Sequence, residues 1–312
     1  MPRRCVTKVV THLLQPLQMR QRKPWYFRLA ASWINSGMRG GYRWLNWLRR
    51  QGLLDACAPF RMGDKEILLP LDTIGATDDD LFEYYERHAL NAVANAAKHF
   101  QAPLLFIDCG ADVGVYTRLL LDRGVHPTHI IAIEPNSRTF PILEANLINT
   151  SSAITCFNGA VGERRGRGQL QAPDYDPNQD RAGFVAMNGQ GDIAVETVDH
   201  LAIDATELSV ALKIDVEGAE LDVIRGAIAT LRKAENFVVQ FEAHPVVAAR
   251  CAIDPIECLK LLISLGAKHW QCSVEETGEV FIEITPDKPF FELMSDAHVY
   301  DVVASTQPLH AS

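Results

Sequence analysis

The pattern of apolar and polar positions after residue 100 predicts an alternation of strands and helices. Short apolar runs predict strands near residues 104–109, 129–134, 153–158, 209–215 and 236–242. Stretches with helical periodicity lie near residues 114–124, 138–150, 219–233 and 255–266. This order is typical of an α/β domain in which helices cover a parallel sheet.

The pattern changes after Gly266. The segments "AKHWQCSV" and "FIEIT", joined by the turn "EETGEV", predict an antiparallel hairpin. A last strand at residues 300–305, "YDVVAS", would close the sheet. Residues 162–192, between the third and fourth strands, are rich in Gly, Pro and Asp, which predicts a surface loop or a lid.

The sequence pattern of residues 1–62 predicts helices of modest length. The helical spacing of "YRWLNWLRR" places Trp44, Trp47 and Leu48 on one side. The next segment, "RMGDKEILLPLD", predicts an entry strand. Residues 78–100 predict a long helix leading into the sheet, with Asp78–Asp80 at the end where acids interact favourably with the helix dipole.

Length and composition indicate a globular protein. The chain has 312 residues, of which 47% are hydrophobic, enough for a sizeable core. No uninterrupted apolar run reaches the ~18 residues that a membrane-spanning helix needs, and the basic start lacks the core of a signal peptide. We therefore predict a cytoplasmic protein. Its seven cysteines are scattered without a CxxC motif, which predicts free thiols.

Charge is distributed unevenly along the chain. Residues 1–61 hold twelve Lys and Arg against Asp55 alone, a net charge of +11, whereas the remainder carries −20. Four of the five tryptophans also lie in this segment. We therefore divide the chain into a basic, aromatic, helical extension (residues 1–61) and an acidic body (residues 62–312). The extension is predicted to contact an anionic membrane surface or an acidic partner; packing onto the body as a cap is the alternative.

The segment "LLFIDCGADVGVYT" predicts a ligand-binding turn between a strand and a helix. A dinucleotide site needs G-x-G-x-x-G, but the three positions here are Gly110, Asp112 and Val115. Asp112 would bring negative charge to the place of a pyrophosphate. A ligand without phosphate therefore fits better, and S-adenosylmethionine offers cationic groups that Asp108, Asp112 and Glu134 would favour.

Glu134 supplies the second half of this signal. It ends the strand "HIIAIEP", twenty residues after Gly114, where a carboxylate can accept hydrogen bonds from both hydroxyls of a ribose. Together the turn and the acid predict a nucleoside site. The alternative is a purely structural turn in an α/β domain.

Five motifs carry a resemblance to a known family. In their order and spacing, "FIDCGADVGVYT", "IIAIEPN", "NGAVGE", "ALKIDVEGAELDVIRGA" and "VVQFEAHP" resemble the FkbM-type family of class I S-adenosylmethionine-dependent O-methyltransferases. The resemblance covers roughly residues 84–305. It implies a Rossmann-like fold with a seven-strand, mostly parallel sheet whose last strand is antiparallel. It also implies methylation of hydroxyls, often on sugars or natural products.

The resemblance assigns the cofactor site residue by residue. Asp108, Gly110 and Gly114 would line the methionine end, and Glu134 would hold the ribose. The adenine would be bordered by Asn136, Asn158 and Ala160. Cys109 and Asp112 depart from the Val and Asn that the family more often has in this loop.

Polar residues at two further strand ends predict the acceptor side. Strand alternation puts Lys213 and Asp215 on one face, with Glu217 following if the strand persists. The fifth strand ends at Glu242 and His244. Ligands of open parallel sheets collect at the carboxyl ends of the strands. We therefore predict Asp215, Glu217 and His244 as catalytic, because an acid or an imidazole could remove the hydroxyl proton.

Several polar residues of this region also have a structural interpretation. Lys213 could pair with Asp215 in a buried strand, and His244 could cap a helix. Glu220 and Asp222 are interpreted as first-turn acids of a helix. The catalytic residues and Glu242 could also hold a Mg²⁺-like ion. No spacing in the sequence defines a coordination shell, so a metal is not predicted.

Three functions are compatible with these features. The leading prediction is an O-methyltransferase that acts on a sugar, a glycan or a lipid-linked glycan. The second is an RNA methyltransferase that uses the basic extension, but nucleic acid is the less favoured partner because the acidic body would repel phosphates. The third is a non-catalytic protein that binds a nucleoside.

Overall fold

The computed structural model describes residues 17–36, 40–71, 82, 85–171, 184–186, 189–202, 205–275, 277–281 and 284–310. Asp78–Asp80, predicted at a helix N-terminus, lie outside these ranges, as does the first part of the basic extension.

Short strands and helices alternate along the described chain. The strands are β1 (Gln18–Met19), β2 (Ala56–Met62), β3 (Lys65–Pro70), β4 (Leu104–Cys109), β5 (His129–Ile133), β6 (Ala153–Phe157), β7 (Ala160–Val161), β8 (Gly166–Gln171), β9 (Phe184–Ala186), β10 (Ile193–Glu196), β11 (Ser209–Ile214), β12 (Asn236–Ala243), β13 (His269–Val274), β14 (Val280–Phe281) and β15 (Tyr300–Ser305). The helices are α1 (Trp25–Asn35), α2 (Gly41–Arg50), α3 (Arg87–Lys98), α4 (Val115–Asp122), α5 (Phe140–Leu147), α6 (Val198–Leu201), α7 (Glu220–Arg225), α8 (Ile228–Lys233), α9 (Pro245–Cys251), α10 (Ile256–Ser264) and α11 (Phe290–Leu293).

The central sheet has eight strands in the order β14-β13-β15-β12-β11-β4-β5-β6. The five strands predicted from apolar runs are confirmed as β4, β5, β6, β11 and β12, and they are parallel to one another. β15 lies antiparallel between β12 and β13. The predicted hairpin is confirmed by β13 and the two-residue β14. The Rossmann-like α/β fold class, with a mostly parallel sheet and an antiparallel last strand, is therefore confirmed. The sheet has eight strands and not the seven that the resemblance implies, because the short β14 adds to β13 at the edge.

The two faces of this sheet carry separate hydrophobic clusters, because successive side chains of a strand point to opposite faces. Phe106 and Val238 belong to the cluster that includes α3, α4 and the N-terminal elements. Ile107 and Leu212 belong to the cluster that includes α7, α8 and α10. Helices thus cover both apolar faces of the sheet. The polar side chains predicted for the site lie at the carboxyl ends of the strands.

The N-terminal extension is only partly helical, so the prediction for residues 1–62 needs correction. α1 and α2 are helices, but residues 56–62 form β2, which pairs with β3 in an antiparallel hairpin. The segment contains Pro59, and its alternation is too short to predict a strand. The hairpin spans the predicted domain boundary at residues 61/62. In α2, Leu48 is buried, whereas Trp47 is 47% exposed and stacks on Trp44.

The polar stretch at residues 162–192 is not simply a loop. β8 and β9 fall within it, and together with β7 and β10 they build a second, four-stranded sheet. The strand "GRGQLQ" offers almost no apolar alternation, so its backbone pairing with β10 and β9 defines it. Residues 172–183 of this stretch lie outside the described chain.

The helix predicted at residues 219–233 is two short helices, α7 and α8. Asp199, a distant residue in sequence, accepts hydrogen bonds from the backbone N–H groups of Ala229 (3.1 Å) and Thr230 (2.7 Å). This carboxylate caps the first turn of α8, which favours a new helix start after Gly226.

Two further expectations concern the state of the cysteines and membrane-spanning helices. The six described cysteines are free thiols, as predicted. Burial raises the pKa of Cys258 and of Cys272, which keeps both thiols protonated. No helix in the described ranges combines the length and apolar character that crossing a membrane requires.

Candidate functional site

The predicted glycine turn connects β4 to α4 and is pressed against the end of β11. Gly110 has φ +78°, and a Cβ atom at this position would lie 1.8 Å from the carbonyl oxygen of Asp215. The N–H groups of Gly110 and Ala111 both donate to the carbonyl of Ile133, at 3.0 and 2.9 Å. The turn therefore bonds to the end of β5 and packs against the residue after β11. A side chain at Gly110 would prevent this close approach to Asp215.

Glu134 lies directly after β5, beneath this turn, and is only 6% exposed. Its Oε2 accepts a hydrogen bond from the N–H of Asp112 (2.8 Å), and its Oε1 accepts one from the N–H of Asn136 (2.7 Å). Burial and the charge of Asp112 raise the pKa of Glu134 to about 8. The hydroxyl of Thr139 also interacts with this carboxylate, and the remaining lone pairs of the carboxylate could accept from a ligand hydroxyl.

The three residues assigned to the adenine border lie on the β5–β6 side of Glu134. Asn136 is 2% exposed, and its Oδ1 accepts from the N–H of Arg138 (3.0 Å). The Nδ2 of Asn158 donates to the carbonyl of Glu134 (2.8 Å). Ala160 begins β7 and is paired with Val195 in the small sheet. The fold thus brings these residues together around one strand end.

Lys213 joins the turn to the acceptor side. Its Nζ donates to Oδ2 of Asp215 (2.9 Å) and to the carbonyl of Gly110 (3.2 Å), and it lies 4.0 Å from Oδ1 of Asp108. Burial alone would lower the pKa of Lys213, but Asp215, Asp108 and Glu86 outweigh burial and raise it. The ion pair considered as a structural interpretation of the sequence is therefore present.

Asp108 is completely buried at the end of β4. Its Oδ2 accepts from the hydroxyl of Thr117 (2.5 Å), whereas its Oδ1 has no hydrogen-bond partner within the described chain. Burial raises the pKa of Asp108, against the opposing effect of Lys213. A buried carboxylate oxygen without a donor is costly in a protein interior, and a ligand that supplies one would stabilise it.

The predicted acceptor residues surround a cleft at the ends of β11 and β12. The cleft is narrow and is lined by Glu217, Glu242 and His244 among others. Asp215 lies next to it, with a side chain 34% exposed. Burial, followed by the charges of Asp215, Glu275 and Glu217, raises the pKa of Glu242 well above its ordinary value. These acids therefore lie close enough to act on one another electrostatically.

Glu217 reaches the cleft by a different route from the one that strand alternation suggested. β11 ends at Ile214, and Glu217 has φ +58°, a left-handed backbone conformation. Its carbonyl accepts a hydrogen bond from Nη2 of Arg250 in α9. The following Glu220 begins α7, and its carboxylate accepts from the N–H of Gly218 (2.9 Å), consistent with a structural role.

His244 is the N-cap of α9. Its Nδ1 accepts a hydrogen bond from the N–H of Val246 at 3.2 Å. In a neutral imidazole one nitrogen is the acceptor and the other carries the proton, so this bond places the proton of a neutral ring on Nε2. The ring also lines the cleft. Capping and a role beside the acceptor are thus both compatible with its position.

Sequence reasoning missed a buried polar cluster around Gln240 in β12. The Nε2 of Gln240 donates to Oε2 of Glu86 (2.7 Å) and to Oδ1 of Asp301 (3.0 Å), and its Oε1 accepts from the hydroxyl of Tyr116. Burial raises the pKa of Glu86 to about 7, although Lys213 opposes the rise. Burial and the charge of Glu86 raise the pKa of Asp301 well above its ordinary value. A glutamine inside the apolar run "FVVQF" was the available signal.

Within the described chain, no group of three or more His, Cys, Asp or Glu side chains has an arrangement suited to a metal ion.

Comparison with known proteins identifies a family. A family model described as Methyltransferase FkbM domain matches residues 108–304, a range that includes every predicted site residue. No curated protein matches the chain.

Several solved structures also match, at low identity. Methyltransferase FkbM from Methylobacillus flagellatus KT is 17% identical with a TM-score of 0.39, over 72% of this chain and 51% of that one. M. jannaschii TYW2 in complex with AdoMet is 12% identical with a TM-score of 0.42, over 81% and 86%. A SAM-dependent O-methyltransferase from Thermotoga maritima is 11% identical with a TM-score of 0.38, over 75% and 72%. The chain thus spans about half of the first structure, and likenesses at this level carry no argument of their own.

Gly110→Ala tests how closely the glycine turn packs. Gly124 has a similar φ of +79°, but no atom lies within 4 Å of the position that its Cβ would take, so Gly124→Ala measures the backbone strain alone. We expect about 1 kcal/mol from Gly124→Ala and roughly 3 kcal/mol or more from Gly110→Ala, measured by urea unfolding. Equal losses would show that the contact with Asp215 is not close.

Glu134→Gln tests the raised pKa of Glu134. Between its ordinary value of 4.5 and about 8, the folded chain binds an extra proton at Glu134. The resulting stabilisation is complete below the lower value and is lost as pH rises through the higher one. Relative to the variant, the wild-type chain should lose about 2 kcal/mol of unfolding free energy between about pH 6 and about pH 8. A constant difference in urea unfolding at the two pH values would contradict the assignment.

Proposed function

Because the chain belongs to the FkbM methyltransferase family, we propose that it transfers a methyl group from S-adenosylmethionine to a hydroxyl of a sugar or glycoconjugate. The observation that carries this proposal is the juxtaposition, at one edge of the sheet, of the Gly110 turn, Glu134 and the acidic cleft beside Asp215. The turn and Glu134 suit a nucleoside with cationic groups. The acids Asp215 and Glu217 suit an acceptor that carries a hydroxyl group.

The residues at the end of β4 fit the methionine end of this cofactor. Oδ1 of Asp108 is buried without a hydrogen-bond donor in the described chain, and the ammonium group of the cofactor would supply one. Gly110 and Gly114 have φ angles of +78° and +84°, so glycine permits the turn beside which the methionine end of the cofactor would lie. Asp112 adds a negative charge, which favours a cation and disfavours a pyrophosphate.

Glu134 fits the ribose. Both of its oxygens are already oriented by backbone N–H groups, and the carboxylate has remaining lone pairs that could accept from ribose hydroxyls. Hydroxyl donors at these positions would favour the ionised form and lower the raised pKa of Glu134. Asn136, Asn158 and Ala160 would border the adenine on the same side.

On the acceptor side, Asp215 and Glu217 would orient the hydroxyl and accept its proton. Bound S-adenosylmethionine supplies an electrophilic methyl group on a sulfonium. Lys213 holds Oδ2 of Asp215 and fixes the direction of the carboxylate. Alignment would provide most of the acceleration, and a general base about 10²–10⁴-fold. His244 would support the acceptor from the N-cap of α9.

The acceptor class is tested by transfer of labelled methyl groups. Purified protein and S-adenosylmethionine with a labelled methyl group are incubated with cell material separated into soluble glycans, lipid-linked glycans and RNA. Label in either glycan fraction, recovered as an O-methyl sugar after acid hydrolysis, is the expected result. Label in RNA would replace the proposal with the alternative methyltransferase. Tight cofactor binding without transfer into any fraction would favour a nucleoside-binding protein.

Glu134→Ala tests the cofactor assignment. Loss of a charged partner for two hydroxyls should weaken S-adenosylmethionine binding by about 1.5–3 kcal/mol, measured by calorimetry at about pH 8.5 where Glu134 is ionised. Glu144→Ala, an exposed acid on the nearby α5, is the matched control and should bind normally. Unchanged affinity in a folded Glu134→Ala protein would refute the role of Glu134.

Three substitutions test the catalytic residues, using the fraction that accepts label. Asp215→Asn and Glu217→Gln should lower the transfer rate at least about tenfold while cofactor affinity stays within about twofold. His244→Asn keeps a side chain that can cap α9 but removes the imidazole. A reduced rate in this variant would support the ring, and a normal rate would leave His244 as a cap. Normal rates in both acid variants would remove Asp215 and Glu217 from the mechanism.

A further inference from the structure

Helix α1 of the N-terminal extension has apolar residues on two opposite faces. Its inner face includes Phe27, 2% exposed, and Ala30, fully buried. Phe27 meets the ring of Phe60 in β2 edge to face, with centroids 5.9 Å apart. This face belongs to the hydrophobic cluster that includes α3 and α4, so it accounts for the attachment of α1 to the body.

The outer face carries Trp25, Leu29 and Trp33, which are 70%, 56% and 39% exposed. Their spacing of four residues puts them in one stripe along the helix. A methyl group at Gly40 would lie 3.3 Å from Cζ2 of Trp33, so α2 begins at the edge of this stripe. The inner face attaches α1 to the body, so this stripe is not needed for that attachment.

Basic residues accompany the stripe. Arg22 precedes α1 and Arg28 lies within it on the exposed side. In the described part of residues 1–61, the full set of cations is Arg20, Arg22, Lys23, Arg28, Arg43, Arg49, Arg50 and Arg61. The one acid there, Asp55, pairs with Arg138 of the body at 3.1 Å. The remaining chain, residues 62–312, carries a net charge of −20.

We propose that the outer face of α1 docks on an anionic lipid bilayer. Trp25, Leu29 and Trp33 would enter the boundary between headgroups and acyl chains, where tryptophan is favoured. Arg22 and Arg28 would contact the anionic headgroups. The acidic body is repelled by the same surface, so the protein would bind with the extension facing the membrane.

The composition of the stripe favours a bilayer over a nucleic acid. Single-stranded nucleic acid would be attracted by the same arginines and could stack bases on the tryptophan rings. Leu29, at the centre of the stripe, offers no ring for stacking but does offer apolar area to a lipid. A bilayer can accept apolar side chains in any order along the stripe, whereas stacked bases would need a ring at each position.

Vesicle binding by the full-length protein tests the proposal. Wild-type protein is sedimented with vesicles of phosphatidylcholine alone and of phosphatidylcholine mixed with phosphatidylglycerol. We expect at least about tenfold stronger binding to the anionic vesicles at about 0.1 M NaCl, with most of it lost near 1 M, where the Debye length falls from about 10 to about 3 Å. Tryptophan fluorescence should shift to the blue on binding.

Two double variants separate the apolar and the electrostatic contributions. Trp25→Ala with Leu29→Ala should weaken binding at least about tenfold and reduce the fluorescence shift, and Arg22→Gln with Arg28→Gln should weaken binding similarly. Ile148→Ala, which removes an exposed hydrophobic residue of the body, and Arg164→Gln, which removes an exposed charge there, are the controls and should bind like wild type. Thermal unfolding checks that each variant is folded.

Three results would overturn the proposal. One is equal binding of the wild-type protein to both vesicle types, or to neither. Another is unchanged binding by the Trp25 and Leu29 double variant. The third is salt-sensitive retention of single-stranded RNA without vesicle binding, which would assign the face to nucleic acid instead.

Discussion

The buried ammonium group of Lys213 holds the carboxyl edge of the sheet together. It bonds to Asp215 and to the backbone of Gly110, and it lies close to Asp108. A charge in this position is tolerated only when it is paired, and removing one partner of a buried pair typically costs about 3–5 kcal/mol. The glycine turn and the acid beside the acceptor cleft therefore share one cation.

The remaining acids of this edge are held mainly by neutral donors. Backbone N–H groups bond to Glu134, and the amide of Gln240 bonds to both Glu86 and Asp301. Hydrogen bonds from neutral groups favour the ionised forms but do not neutralise the charge. Burial consequently raises the pKa of Glu134 to about 8 and that of Glu86 to about 7. A cationic ligand at this edge would favour the ionised forms of these acids, which agrees with the sulfonium cofactor that we propose.

The parts of the fold that sequence predicted well are those with a strong local signal. β4, β5, β11 and β12 are buried on both faces, so each has a nearly continuous apolar sequence. β6 lies at the edge of the sheet and is only partly buried, but its sequence is also mainly apolar. β8 is mostly exposed and has no apolar run, so the sequence predicts a loop there. Only the backbone pairing with its neighbours defines it as a strand. The division of α7 from α8 was also missed, because the carboxylate of Asp199 that caps α8 lies about thirty residues earlier in the chain.

The sequence by itself determined the alternation of strands and helices, the glycine turn and the acid at the end of β5, because each of these depends on residues close together in the chain. Only the tertiary structure decided what these residues contact. Glu86, Gln240 and Asp301 come from three distant segments, and nothing local indicates that one amide would bridge the two acids. Likewise, the sequence showed tryptophans in the basic extension but not which of them would be exposed. The packing of Phe27 against Phe60 decided which face of α1 remained exposed. Packing selects among faces and partners that a local pattern leaves equivalent.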